Sequence, residues 1–391
     1  MTVGVRLGST VLIASGRLHG QRVGVLCNPA SVDADLVHIV DRLASADGVT
    51  VAAIFGPQHG FRSDVQDNMV ETPHAHDPAR HVPLHSLYSE TREPTTEMLR
   101  GVEVLVVDLQ DIGARIYTYI YTMANCLRAC QRHGIPVIVC DRPNPIGDAI
   151  EGACLVDSFE SFVGQFPIPM RHGMTVAELA RLFNDAFGIG APLEVIRMEG
   201  WNRDAWWDAT GLTWVMPSPN MPTLDTAVVY PGTVLFEGAL MSEGRGTTRP
   251  FELVGAPGVD AERFADEMNA RELPGVRFRP AVFEPTFQKH AERTCGGCQI
   301  HVRDREAFHP VRTGVALIDQ FHRSAPDSFG WRPPPYEYEP DKQPIDILAG
   351  SDALRRQVQA GVPVDDIADS WRESERSFET LRRPFLLYGT D

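Results

Sequence analysis

No stretch of this chain approaches the roughly 18 to 20 consecutive apolar residues that a membrane-spanning helix needs, because charge interrupts every hydrophobic run. The sequence therefore predicts no membrane partner. Basic residues are also scarce: 36 Lys and Arg against 52 Asp and Glu leave a formal charge of −16, which repels nucleic-acid phosphates and anionic lipid alike. No nucleic-acid partner is expected. Seven cysteines, an odd number scattered through the chain, do not make a disulfide framework. Cys295 and Cys298 form one CxxC with no second pair, and even with His290 and His301 nearby this falls short of the four placed ligands of a structural zinc. No metal is predicted. The chain has no GxGxxG after its first strand and no GxxxxGK[ST], so neither a dinucleotide nor ATP is implied, and no cofactor is expected. The apolar stretch 11–14 is too short for the core of a signal peptide, which points to a cytoplasmic protein. There is no internal repeat. The oligomeric state is left open.

What is present is an ordinary globular composition, 43% apolar and 23% charged over 391 residues, long enough for two domains. Short β-branched runs at 22–28, 49–55, 102–107 and 136–140 alternate with helical spacing, as in Leu36, Ile39, Val40 and Leu43 and again over 117–133. Thr175 and Glu178 form the T-x-x-E capping box of a helix running to about 187. Strands alternating with helices predict an α/β fold, a Rossmann-like doubly wound parallel sheet. The Pro-rich 217–223 segment reads as a crossing point, dividing the chain into a Rossmann-like catalytic domain, 1–222, and a smaller mixed α/β domain, 223–391, that closes the cleft. In the second domain strands are expected at 276–279, 299–302 and 384–388, and helices at 261–270, 311–323 and 365–378. In open α/β sheets ligands bind outside the carboxyl ends of the strands. GPQHGF (56–61), DLQDIGAR (108–115) and DRPNP (141–145) all lie there, so the site is expected on that edge.

Taken in order, NPA (28–30), GPQHGF (56–61), LQDIGARIYTYI (109–120), DRPNPIG (141–147), EG (151–152), PIPMRHGMT (167–175), PSPNMP (217–222), YPGTVLFEG (230–238) and GRGTTRPFE (244–252) resemble the exo-β-N-acetylmuramidase family of glycoside hydrolases, long catalogued as a domain of unknown function. The likeness runs through nearly the whole chain. It implies removal of terminal N-acetylmuramic acid from peptidoglycan fragments, muropeptides or disaccharides, in a cleft between two domains. The lactyl carboxylate of that sugar suits a fixed guanidinium. Arg115, Arg142, Arg245 and Arg249 are candidates, with Arg245 first because Gly244 and Gly246 let a ligand approach closely; for each, pairing with a nearby carboxylate is the structural reading.

Glycoside hydrolysis ordinarily takes two carboxyl groups, unless a 2-acetamido group on the substrate replaces the nucleophile. In the family the strand-end motif is commonly Pro-Glu-His-Gly, and its Glu is the leading catalytic candidate; here Gln58 occupies that place. A glutamine cannot deliver a proton. A relocated acid is expected, with Glu71 favoured over Asp64 and Asp67, and with Glu237, Glu243 and Glu252 as carboxylates from across the cleft. Asp108 and Asp111 would orient the acetamido group or shift a partner's pKa, or else cap and brace the loop. His59 would shuttle protons. Substrate contacts are expected from Asn28, Gln110, Tyr117, Tyr119, Asp141, Asn144, Glu151, His172, Asn220 and Thr247, although His172, at a helix entrance, also reads as a structural hydrogen-bonder. The alternatives to a muramidase are a glycosidase for another sugar and a non-catalytic sugar-binding protein.

Overall fold

The computed structural model describes residues 4–389. Its larger sheet has seven strands: β1 (Arg22–Cys27), β2 (Thr50–Gly56), β3 (Ala75–Asp77), β4 (Val82–Ser86), β5 (Val104–Asp108), β6 (Val137–Cys140) and β7 (Leu193–Ile196). They lie in the order β3-β4-β2-β1-β5-β6-β7, all pairs parallel except β3 with β4. The chain grows outward from β1 to one side, then returns and grows to the other. The switch point therefore lies between β1 and β5.

The near-continuous apolar strands are explained by burial on both faces. Side chains alternate across a strand, so Val23, Val25, Val104, Val106, Ile138 and Cys140 join one core with helices α1 (Gly8–Ala14) and α2 (Ile39–Ala44). Leu26, Leu105, Val107, Val137 and Val139 join the other, against α3 (Tyr119–His133) and α4 (Val176–Arg181). The predicted capping box is present: Thr175 accepts from the Glu178 amide, and the Glu178 carboxylate accepts from the Thr175 amide. α4 stops at Arg181 and widens into a π-helical turn, Leu182–Ala186, that completes the predicted run to about 187.

The second sheet is antiparallel, β8 (Leu253–Ala256), β9 (Val276–Phe283) and β10 (Cys295–Val302) in the order β8-β10-β9. Helices α5 (Leu224–Thr233), α6 (Ala261–Asn269) and α7 (Pro310–Ser324) surround it. α5 and α7 meet at two glycines: a Cβ on Gly314 would lie 2.3 Å from the Gly232 carbonyl oxygen, so only bare backbone permits the contact. The core beneath the large sheet continues through these helices to Val254, Phe278 and Cys298. The two sheets thus share one apolar interior, which holds the walls of any site between them in fixed register.

Two expected elements differ. Residues 384–388 form no strand: a 3-10 turn, Arg383–Phe385, precedes extended chain whose Leu387 amide donates to Glu178 and whose Tyr388 packs on Trp201. Pro384 has no N–H to give a ladder. The helix expected at 365–378 is two, Val364–Asp369 and Arg372–Arg382, broken where Trp371 turns inward. Cys295 and Cys298, three apart on β10, point to opposite faces, and among the described residues no cluster of three or more His, Cys, Asp or Glu is placed to hold a metal.

Candidate active site

The turn after β2 is tight because Gly56 allows it; a Cβ there would sit 2.7 Å from the Phe61 amide nitrogen. It delivers Gln58 and His59 to the sheet edge, His59 with a φ of 69°, uncommon for a residue with a side chain. The long loop after β5 brings Tyr117, Thr118 and Tyr119 to the same place at the start of α3. Ser218, Asn220 and Met221 come from the crossing segment, Tyr230 from α5, and Glu237 from the 3-10 turn Val234–Gly238. Arg245 and Phe251 come from the loop before β8, Tyr336 and Glu337 from the 333–340 loop. Together these residues wall a cavity. Its lining interleaves aromatic rings with many polar groups, among them Gln58, His59, Asn220, Glu237, Arg245 and Glu337.

The polar groups fall into two sets. Glu237 accepts from Arg245 Nη2 at 2.7 Å, Asn68 Nδ2 at 2.9 Å and the Tyr336 hydroxyl at 2.6 Å. Burial pushes its pKa up, but the Arg245 charge and these hydrogen bonds outweigh burial and hold it below the usual glutamate range. Glu237 is therefore ionised and only accepts. Glu337 has no cation in contact: it accepts from Tyr88 Oη at 2.9 Å and from Gln58 Nε2 at 3.2 Å. Burial pushes it up to about 7, the Tyr88 hydrogen bond opposing and the Glu237 charge adding. Two carboxyls in one cavity with pKa values driven apart are the arrangement that separates a proton donor from a fixed charge.

Three further groups carry chemistry. The Arg245 guanidinium is buried, lies 5.0 Å from the Phe251 ring centre, and has Nη1 with no hydrogen-bond partner. The Tyr117 hydroxyl is likewise buried and unpartnered, whereas Tyr119 donates to the Pro217 carbonyl at 2.9 Å. His59 donates from Nδ1 to the Val65 carbonyl at 2.8 Å; burial and the nearby Arg245 lower its pKa to about 4, so the ring is neutral and Nε2 is an acceptor. Gln58 is bracketed, accepting from Thr118 Oγ1 at 2.9 Å while donating to Glu337.

Of the residues singled out in the sequence, Gln58, His59, Tyr117, Tyr119, Asn220, Glu237 and Arg245 line this cavity. The others do not. Asp108 pairs with Arg142 Nη1 at 3.0 Å, and Arg142 spends its remaining donors on Gln110 and the Ala30 and Val32 carbonyls. Asn28 ties Gln110 to Pro217, and Gln110 donates to Asp111 and Pro143 carbonyls. Asp111 accepts from the Gly113 amide, and His172 from that of Met174. Asn144 braces Ile146 and Met174. Asp141, pushed up to about 7 by burial and Glu178, is held by Tyr388, Thr175 and the Ala177 amide. Arg115 donates to the carbonyls of Ala153, Ile168 and Leu348. Thr247 closes its own turn on Gly244, Glu252 accepts from Thr226, and Glu151 caps α7 at the Arg312 amide beside a separate pocket.

The favoured relocated acid, Glu71, is a correction. It lies on the outer surface, half exposed, bonded to Arg92 and the Tyr338 hydroxyl, because the 61–72 loop turns its Asn68 side inward and its Glu71 side out. Asp64 is exposed, and Asp67 accepts from Gln288. Sequence reasoning missed Glu337, Tyr336, Tyr230, Phe251 and Asn68. The only signal for Glu337 was the YEYEP run after three prolines, polar residues on a stiffened loop.

Comparison with known proteins bears on what this cavity does. Residues 23–225 match the family model described as "Exo-beta-N-acetylmuramidase NamZ, N-terminal", and residues 228–388 the corresponding C-terminal model. The chain is 43% identical over 373 residues to the peptidoglycan beta-N-acetylmuramidase NamZ of Bacillus subtilis, covering 95% of this chain and 88% of that one. It superposes on the crystal structure of a DUF1343 family protein from Bacteroides fragilis with a TM-score of 0.89 at 35% identity, over 99% of both chains. A second DUF1343 structure from the same organism gives 0.78 at 26% identity, over 100% of both chains.

Proposed function

The chain belongs to the exo-β-N-acetylmuramidase family, and from that membership and the chemistry of the cavity we infer that it is a glycoside hydrolase releasing terminal N-acetylmuramic acid from peptidoglycan fragments. The observation that carries the substrate class is Arg245. Its Nη1 has no protein partner, and a buried donor left unmade costs about 1 to 3 kcal/mol. A ligand carboxylate would satisfy it, and N-acetylmuramic acid differs from N-acetylglucosamine by such a group. Glu237 holds Nη2 and Glu243 stands 3.5 Å from Nε, leaving Nη1 for the ligand. The rings of Tyr117, Tyr119 and Tyr230 supply faces for a pyranose.

No helix among the described residues is long and apolar enough to cross a membrane, and all seven cysteines are unpaired. Reduced thiols fit a reducing compartment, so we place the reaction in the cytoplasm, on imported muropeptides or disaccharides.

The test is hydrolysis of nitrophenyl β-N-acetylmuramide beside the N-acetylglucosaminide, by wild type and Arg245→Lys. Losing the planar fork while keeping the charge is expected to lower kcat/KM for the muramide by about 1.5 to 3 kcal/mol, a charged hydrogen bond, and to leave the glucosaminide rate nearly unchanged. An unaltered preference would sink the assignment of Arg245 to the lactyl carboxylate. Gln58 in the place of the family's glutamate favours the second reading, a sugar-binding protein, which would show as tight muramide binding with no turnover.

A further inference from the structure

We propose that Glu337 is the proton donor to the leaving glycosidic oxygen, taking the part that Gln58 cannot. The proposal rests on the hydrolase reading above. Glu337 lies one hydrogen bond from position 58: Gln58 Nε2 reaches its Oε1 at 3.2 Å, so the acid function moves by about one side chain and stays at the end of β2.

Its position along the substrate path is the second argument. An open groove lined by Met69, Leu240 and Tyr338 lies against the cavity, the two sharing Asn68, Tyr336 and Glu337 in their walls. A terminal sugar in the cavity and its aglycone in the groove put the scissile bond at that shared boundary. The acid of an exo-acting enzyme has to stand there, because it protonates the oxygen linking the two. Tyr338, half exposed beside the groove, offers a ring to the aglycone.

The rival donors are removed by their own contacts. Glu237 is held ionised by Arg245, Asn68 and Tyr336. His59 is neutral with its proton on the nitrogen facing Val65. Glu71 is outside, on Arg92. Among the carboxyls that line the cavity, Glu337 alone combines burial, with 4% of its surface exposed, and freedom from any cation in contact. The groups that set its charge are Tyr88, Tyr230, Glu237, Arg245 and Tyr336, with Gln58 as neutral donor. Together with burial, the largest cause, they leave it half protonated at about pH 7 and mostly protonated below that.

In the step, the bond from the anomeric carbon to the linking oxygen breaks with its electron pair on oxygen, which takes the Glu337 proton. The anomeric carbon is met by the substrate's own acetamido oxygen or by water. Water finally supplies the hydroxyl on that carbon and, in net, the proton that restores the Glu337 carboxyl.

The experiment compares wild type with Glu337→Gln on a muramyl disaccharide, whose sugar leaving group needs the proton, and on nitrophenyl β-N-acetylmuramide, whose nitrophenolate hardly does. The variant is expected to lose the disaccharide by roughly a hundred- to ten-thousand-fold, the usual worth of a general acid, and the aryl glycoside by less than about tenfold. Because the donor must be protonated, wild-type kcat on the disaccharide should fall as pH rises through about 7, and that fall should be absent in the variant. Equal loss on both substrates, or a disaccharide rate and alkaline fall retained in Glu337→Gln, would overturn the proposal and leave the muramidase reading standing. Wild type inactive on both muramides would overturn that reading and this one together. Should Glu337→Gln not fold, Tyr88→Phe keeps the carboxyl and removes a donor that favours its charge; the alkaline fall should then move to higher pH, and a fall that stays put counts against Glu337.

Discussion

Two neighbouring regions at the carboxyl edge of the large sheet treat buried polar groups in opposite ways. At the ends of β1, β5 and β6, Asn28, Asp108, Gln110, Asp141, Arg142 and Asn144 give nearly every donor and acceptor to one another or to backbone. The partial exception is Asp111 with His172, 3.5 Å apart, each with an unsatisfied atom. In the cavity further along the same loops, Arg245 Nη1 has no hydrogen-bond partner, and the Tyr117 hydroxyl has only Ser218 and Tyr119 near it. Both regions are dense in the residue types of a glycosidase site, and only the second is open to a ligand. Polar groups saturated by protein hold a fold; polar groups left unmade, at a cost the fold tolerates, are held for something that arrives.

If the strand-end cluster is structural, breaking it should be the most damaging change. Arg142→Ala leaves Asp108 buried without its cation, along with three other acceptors unmet, and is expected to lower stability by about 3 to 5 kcal/mol. Urea unfolding followed by circular dichroism measures it. A loss below about 1 kcal/mol would mean that the crevice is wetter and less essential than its contacts say, and would erase the distinction between the two regions.

A finer version of the comparison lies within the cavity, in two tyrosines whose ring centres are 4.7 Å apart. Tyr119→Phe loses its bond to the Pro217 carbonyl and should cost about 0.5 to 1.5 kcal/mol. Tyr117→Phe removes a hydroxyl that no protein group satisfies, so its stability should be unchanged or slightly higher, while muramide KM rises. The two melting shifts should differ in sign or nearly so. If Tyr117→Phe costs as much as Tyr119→Phe, its hydroxyl is already in use by the fold.

The parts of this molecule that were legible in its sequence are those fixed locally. β-branched runs buried on both faces, the T-x-x-E box at Thr175 and the order of the loops follow from patterns a few residues long, and they gather those loops at one edge of the large sheet. The pieces that failed lack such a signal: β3 has three residues, and the 384–388 run has strand-like composition but opens on a proline held in a 3-10 turn. The site was legible in part for the same reason. Gln58, His59, Tyr117 and Tyr119 follow strands directly. Glu337 is 279 residues from the Gln58 it touches, and what distinguishes it, burial without a cation, is a property of the packed chain. Conversely, Asp108 looked catalytic and Arg142 substrate-binding because strand ends usually carry such groups, and nothing local showed that each would neutralise the other.

The smallest expected effect tests the residue that sequence reasoning preferred. Glu71 has a side chain about half exposed, one contact to Arg92 and one to the Tyr338 hydroxyl, and it does not line the cavity. An ion pair so open to solvent is worth about 0 to 1 kcal/mol. Glu71→Gln should therefore leave stability within that range and disaccharide turnover within about twofold of wild type, since a carboxyl outside the cavity cannot reach the scissile oxygen. Its one route to the chemistry is through Tyr338, the residue after Glu337, so a small rise in KM for the disaccharide but not for the nitrophenyl glycoside would mark the outer groove as the aglycone's seat. A large fall in kcat on both substrates would instead require the 61–72 loop to swing inward when substrate binds, and would return the acid to the place where the sequence first put it.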